Sequence, residues 1–215
     1  MPKKEISEAV IKRLPRYYRQ LKHLQEQGIE KISSTKLAEN LNLTASQVRQ
    51  DFCNFGGFGQ QGYGYDVAKL KNELAVILGL DKNFNLIIVG AGNMGRALAG
   101  YKGFDSDGFV ISALFDVVTP VESINNIPLY NMDSLEDYLK NNNIDIAIIT
   151  VQKQVAKQVA RELVDCGIKS IWNFAPVDLD LPKGVVVENI SLKESLFVLS
   201  YRSKNIHNQD EQNID

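Results

Sequence analysis

Cysteine and histidine are scarce: this chain of 215 residues has two of each. Cys53 and Cys166 lie far apart in sequence, so no disulfide framework can be built from them. They read as reduced thiols of a cytoplasmic protein. Two isolated Cys and two isolated His also argue against structural zinc, and no metal site is expected. Long apolar runs are missing as well. The best, residues 144–151 and 75–80, fall far short of the roughly 18–20 residues that span a bilayer. No apolar stretch follows the N-terminal Met-Pro-Lys-Lys, so neither a secretory leader nor membrane insertion is expected. What remains is ordinary for a soluble globular chain: 44% hydrophobic and 23% charged residues. That excludes disorder throughout and a collagen-like fibre.

The net charge of −2 is unevenly distributed. Residues 1–82 hold 13 Lys/Arg against 9 Asp/Glu, a net +4, and residues 83–215 hold 11 against 17, a net −6. A basic front on an acidic back suggests two domains, with any polyanionic partner on the first. Over 5–27, Ile6, Val10, Leu14, Tyr17, Leu21 and Leu24 recur at spacings of three and four, the period of a helix. Pro15 is expected to split it, sitting in the first turn of a second helix. Short helices follow over 34–42 and 45–54, the second opened by the capping box Thr44-Ala-Ser-Gln47. Gly56, Gly57, Gly59, Gly62 and Gly64, interleaved with Phe58 and Tyr63, suit a β-hairpin. Residues 66–79 return to helix.

From residue 85 the pattern changes. Short apolar strands at 85–89, 109–115, 144–151, 170–174 and 185–187 alternate with helices at 93–102, after the box Asp133-Ser-Leu-Glu136, and at 152–166. That order means βαβ units and a parallel sheet. Ser191-Leu-Lys-Glu194 opens a last helix, and the polar, aperiodic residues 204–215 are expected to be disordered. The expected fold is α/β. A winged helix-turn-helix domain (1–80) precedes a Rossmann-like parallel-sheet domain (81–190), a C-terminal helix (191–203) and a tail (204–215).

Gly90-Ala-Gly92-Asn-Met-Gly95 has the spacing GxGxxG, after an apolar strand and at the start of a helix, and the next strand closes on Asp116. The first glycine permits the tight turn, the second lets backbone approach a pyrophosphate, and the third lets helix pack on strand. The helix N-terminus offers free N–H groups to phosphate. Asp116 can accept from both ribose hydroxyls and would repel a 2′-phosphate, which favours NAD over NADP. A glycine-rich turn without ligand is the alternative. The candidate dinucleotide contacts here are Gly90, Ala91, Gly92, Asn93, Met94, Gly95, Arg96, Asp116 and Val117.

Hydride chemistry needs a proton donor near the nicotinamide. His23 lies in the first domain and His207 in the tail. Tyr18/Lys22 and Tyr65/Lys69, which have Tyr-x-x-x-Lys spacing, precede the cofactor loop. The region after the first βαβ half is too short for a separate substrate domain. The expectation is a protein that is not an enzyme, has no catalytic residues, and uses the dinucleotide as a signal.

Two short helices with a tight connection and a glycine-rich hairpin outline a winged helix-turn-helix. On the second helix Ala45, Val48, Phe52 and Phe55 line one side. Ser46 and Gln50 face the other, with Gln47 and Arg49 on the flanks. Arg reads guanine edges and Gln adenine edges. Lys12, Arg13, Arg16, Arg19 and Lys22 give the preceding segment a basic side for phosphates. A plain solvated face is the alternative.

The string Ile11-Lys-Arg-Leu-Pro-Arg-Tyr-Tyr-Arg19, the segment Ser46-Gln-Val-Arg-Gln-Asp-Phe52, the run Phe55-Gly-Gly-Phe-Gly-Gln-Gln-Gly-Tyr-Gly-Tyr-Asp-Val67, the cofactor loop and Asn173-Phe-Ala-Pro176 resemble the Rex family of redox-sensing transcriptional repressors. The resemblance spans about residues 5–203. It implies a homodimer with a swapped C-terminal helix, an apo or NAD⁺ form bound to a palindromic double-stranded operator, and release by NADH. It also implies that Thr150, Val151, Asn173 and Phe174 lie near the nicotinamide, and that Tyr101 meets the start of the partner's last helix. Where many members have Asp, this chain has Ser191. Where they often have Lys and Arg at the wing tip, it has Gln60 and Gln61. Those two complete the candidate DNA-binding set, and their lost charges should weaken binding and flatten its salt dependence. A usual proline is replaced by Gln152. An NAD-dependent oxidoreductase and a coenzyme A-sensing regulator are the other classes considered.

Overall fold

The computed structural model describes residues 6–56, 58 and 64–212, the last seven of these by their backbone alone. The chain divides into two compact units, one ending at Lys82 and the other beginning at Asn83.

The first unit is α1 (Glu8–Glu26), β1 (Lys31–Ile32), α2 (Ser34–Leu41), α3 (Ala45–Cys53), β2 (Tyr65–Asp66) and α4 (Val67–Leu78). Its core joins Leu14, Tyr17 and Leu21 of α1 with Leu37, Val48, Phe52, Leu70 and Leu74. Phe52 is the hub, its ring 4.9 Å from Tyr17, 5.6 Å from Phe58 and 5.3 Å from Tyr65. Pro15 does not split the first helix: α1 runs unbroken through it. Pro15 and Ile11 both lie on the exposed side, where solvent can take up the carbonyl that proline leaves without a donor. Leu14 and Tyr17 meanwhile anchor both flanks in the core. β2 pairs antiparallel with β1. Most of the expected hairpin, including Gln60 and Gln61, lies outside the described residues.

The second unit is a seven-stranded sheet in the order β5-β6-β4-β3-β7-β8-β9. Its strands are β3 (Phe84–Val89), β4 (Phe109–Asp116), β5 (Ser123–Ile124), β6 (Ile127–Asn131), β7 (Ile146–Ile149), β8 (Ser170–Asn173) and β9 (Val186–Asn189), with helices α5 (Asn93–Ala99), α6 (Leu135–Asn141), α7 (Lys153–Asp165) and α8 (Leu192–Gln212). β5 and β6 pair antiparallel and every other neighbouring pair is parallel. The hairpin β5–β6 turns through Asn125 and Asn126, both at positive φ. It carries no glycine and was not foreseen. Alternate strand residues feed two cores. Ile87, Phe115 and Ile149 meet Ala160 and Leu163 of α7 on one face. Leu86, Ile88, Leu114 and Ile148 meet Leu98 of α5 on the other.

Two terminal features differ from the sequence reading. Asp133 does not cap α6. A short 3-10 turn (Met132–Ser134) intervenes, and Asn131 accepts from the Asp133 N–H instead. The last helix does not close at 203, since α8 extends to Gln212. Residues 204–212 contain neither Gly nor Pro, so a nucleated helix continues at little cost per residue.

Candidate functional site

The parallel strands end along one edge, where β3 has neighbours on both sides, β4 and β7. The chain reverses its direction of travel there, the usual crevice for ligands in such sheets. Gly90 follows β3 at φ +106°. Its N–H donates to the Phe115 carbonyl at 2.8 Å, and its own carbonyl accepts from the Thr150 hydroxyl at 2.7 Å. A Cβ on Gly95 would stand 2.0 Å from that same Gly90 oxygen, so helix and strand meet with no room for a methyl group. Around Gly92 nothing lies within 4 Å of an added Cβ. Gly92 is also the N-cap of α5 and supplies no capping side chain. By contrast Ser33, Thr44 and Asp66 cap α2, α3 and α4. The first-turn N–H groups of α5 are left for an outside acceptor.

Asp116 is anchored on this loop. Its carboxylate accepts from the Ala91 N–H at 2.6 Å and from the Val118 N–H at 3.2 Å. A carboxylate has about four acceptor positions, so two remain for ribose hydroxyls. Arg96 reaches back from α5 and donates through Nε to the Ala91 carbonyl at 2.8 Å. The Ala91 residue is thus held at its N–H by an acid and at its carbonyl by a base. Asn93 and Met94 form the first turn of α5, and Val117 is exposed just past β4. This set fits an adenine dinucleotide: close backbone, unfilled donors and an acidic acceptor.

At the neighbouring strand ends Val151 and Phe174 are half-buried. Two expected contacts play a different part. The Thr150 hydroxyl donates to the carbonyls of Val89 and Gly90 at 3.1 and 2.7 Å. Asn173 is fully buried. Its Nδ2 donates to the Val177 carbonyl and to Asn189 Oδ1, and its Oδ1 accepts from the Ala175 N–H. Its amide frames the site from inside the fold and is not offered to a ligand. Tyr101 is 60% exposed, its ring packed at 4.8 Å on Phe104. Phe104 lies 5.9 Å from Trp172, itself 4.7 Å from Phe174. Sequence reading missed Phe104 and Trp172, because an aromatic residue near a strand is ordinarily core.

In the first unit, Thr44 Oγ1 accepts from the Gln47 N–H at 3.1 Å, the hydroxyl half of the capping box. Val48 and Phe52 are buried while Ser46, Arg49 and Gln50 are exposed, with Gln47 half-buried. Arg49 donates to Ser34 Oγ at 3.0 Å. On the basic side of α1 one residue needs correction, Arg13. The Arg13 guanidinium is not held out to phosphate: Nε and Nη2 donate to the two oxygens of Asp51 at 2.7 and 2.8 Å. Arg16 donates to the Leu41 carbonyl at 2.7 Å. Both arginines stand next to helices with acceptors in reach, which a one-dimensional pattern does not show. Asp51 was not foreseen as buried, although Tyr17 and Arg13, a turn apart, bring it three donors. Beside it, burial and the carboxylate push the Tyr17 hydroxyl pKa upward. Among the described residues no cluster of three His, Cys, Asp or Glu has metal-binding geometry, and no helix is long and apolar enough to cross a membrane.

Residues 5–53 match the family described as "Putative DNA-binding protein N-terminus", and residues 81–177 match "CoA binding domain". The chain is 53% identical over 203 residues to the redox-sensing transcriptional repressor Rex of Clostridioides difficile (strain 630), covering 94% of this chain and 97% of that one. It is 50% identical over 205 residues to the Rex of Caldanaerobacter subterraneus subsp. tengcongensis, covering 94% and 92%. Among solved structures, RSP in complex with β-NAD⁺ and operator DNA has a TM-score of 0.89 at 45% identity, with 98% of each chain covered. RSP in complex with β-NADH has a TM-score of 0.87 at 44% identity, with 96% and 98% covered.

Proposed function

The chain belongs to the Rex family of redox-sensing transcriptional repressors, which are DNA-binding regulators and not enzymes, and we propose from that premise how its two units divide the work. It is an NADH/NAD⁺-responsive DNA-binding repressor with both dinucleotide forms as regulatory ligands. The apo or NAD⁺ form holds a palindromic operator and NADH releases it. The observation that carries this reading is the loop itself. Gly95 has no room for a methyl group, α5 begins without a capping side chain, and Asp116 is fixed on Ala91. Gly90 to Arg96 take the pyrophosphate, and Asp116 with Val117 takes the adenosine. Val151 and Phe174 flank the nicotinamide, braced by Thr150 and Asn173. Ser46, Gln47, Arg49 and Gln50 read bases, while Arg16, Gln60 and Gln61 lie along the phosphates. NADH acts only by binding the DNA-incompetent state better. A tenfold loss of operator affinity needs about 1.4 kcal/mol of such coupling.

The last helix supports a dimer. Leu192, Leu196 and Leu199 recur at helical spacing and are exposed, as are Phe197 and Tyr201, with Leu196 62% and Phe197 66% accessible. Contiguous apolar surface of this kind marks an interface. A second copy exchanging α8 would cover it, with Tyr101 facing the partner's helix start, where Ser191 Oγ caps at 3.3 Å. A dimeric repressor of this kind works on cytoplasmic DNA. Leu196→Asp is expected to raise the dimer dissociation constant about tenfold or more, since burying one Leu is worth about 1.5–3 kcal/mol. Light scattering over a dilution series reads this, and an unchanged constant would place the interface elsewhere.

The match over 81–177 favours coenzyme A as a second reading. Its adenosine ribose carries a 3′-phosphate, which would meet the Asp116 charge. Coenzyme A is therefore expected not to displace NADH in a fluorescence titration. Displacement at equal concentration would reverse the order of the two readings.

A further inference from the structure

We propose that Asp51, Arg13 and Tyr17 form an internal clamp that sets the orientation of α3, and so determine operator specificity without touching DNA. The proposal rests on the reading that α3 enters the groove. Asp51 is only 2% exposed, on a helix whose neighbouring Arg49 and Gln50 are turned to solvent. All three donors on its carboxylate come from one element, α1. Arg13 grips both oxygens at 2.7 and 2.8 Å, and the Tyr17 hydroxyl adds a third bond at 2.7 Å. A planar guanidinium on a carboxylate fixes direction as well as distance. Tyr17 is itself wholly buried, its ring 4.9 Å from Phe52, the residue after Asp51. Polar grip and apolar contact therefore act on adjacent residues of α3 and resist its rotation about its own axis.

Stability alone does not explain such a group. Replacing a buried ion pair by apolar side chains is often neutral or stabilising, and fixing one geometry is the best-attested use of such pairs. Geometry is what base reading requires. Recognition groups must be held within about 0.5 Å and 10–20° of the productive pose. Gln47 and Gln50 lie four residues and one residue before Asp51, so its grip fixes where both point. The Arg13 side chain is 20% exposed and its charge faces Asp51. It is a positioning residue and not a phosphate contact.

The test uses the full chain and two duplexes: the palindrome that the unaltered chain enriches from a random pool, and a shuffled duplex of the same composition. Affinities for both are measured over a salt series with Asp51→Asn, Arg13→Gln and Tyr17→Phe. Asp51→Asn and Arg13→Gln are expected to lower the palindrome-to-shuffled ratio about tenfold or more, the scale of a lost charge-assisted hydrogen bond. Shuffled-duplex affinity, its salt slope and NADH affinity should stay unchanged. If Asp51→Asn fails to fold, as judged by circular dichroism, Tyr17→Phe carries the test with an expected loss of about threefold from one hydrogen bond. A ratio that stays constant in the folded variants overturns the clamp. So does an Arg13→Gln slope flattened by about 0.9 per subunit, the mark of a lost phosphate contact. An unaltered chain that enriches no sequence overturns the DNA reading itself, and the clamp with it.

Discussion

An Arg49→Ala chain is expected to lose operator binding while it binds NADH as before. Arg49 projects from α3 into solvent, beside Gln50 and one turn from Ser46, and Val48 and Phe52 fix the opposite side in the core. Its bond to Ser34 Oγ is exposed and exchangeable, so removing it should leave the fold intact. One bidentate contact to a base is worth about 1–3 kcal/mol. A palindrome uses it twice, so the expected loss is about 2–6 kcal/mol, or about 30-fold to 10⁴-fold in affinity. Mobility shift with the palindrome reads this against NADH fluorescence on the same preparation. A parallel loss of NADH binding would indicate misfolding, and full operator affinity would show that Arg49 belongs to a plain solvated face.

The complementary variant is Gly95→Ala, which should bind operator but no longer respond to NADH. The new Cβ would stand 2.0 Å from the Gly90 oxygen. That oxygen cannot withdraw easily, since it accepts from Thr150 and the Gly90 N–H is tied to Phe115. Overpacking of this kind costs about 1–3 kcal/mol, and here the strain falls on the loop that we propose takes the pyrophosphate. Dinucleotide affinity should drop by about one to two powers of ten. DNA binding rests on residues of the first unit and should persist. NADH affinity equal to that of the unaltered chain would mean that the loop does not hold the dinucleotide.

Legibility followed the physics. Where a local rule decides, sequence sufficed. Thr44 caps α3 because its hydroxyl is three residues from a free N–H, and Gly90, Gly92 and Gly95 stand where a strand–turn–helix needs them. Where three-dimensional neighbours decide, it did not. Asp51 looks like a solvated carboxylate until α1 brings it three donors, and Arg13 looks like a phosphate contact until Asp51 takes its charge. Thr150 and Asn173 close their strands with polar atoms bonded to the fold, which the sequence does not show. Pro15 passes through α1 because tertiary packing on both flanks outweighs one missing hydrogen bond. The β5–β6 hairpin carries no glycine signal because Asn125 and Asn126 take the left-handed positions that glycine usually fills.

In this family member the dinucleotide governs DNA binding. Selection of bound sequences from a random duplex pool by the pure chain, with no ligand, with NAD⁺ and with NADH, tests it directly. One palindrome is expected, enriched without ligand and with NAD⁺ and absent with NADH. The same palindrome enriched equally in all three arms would contradict it.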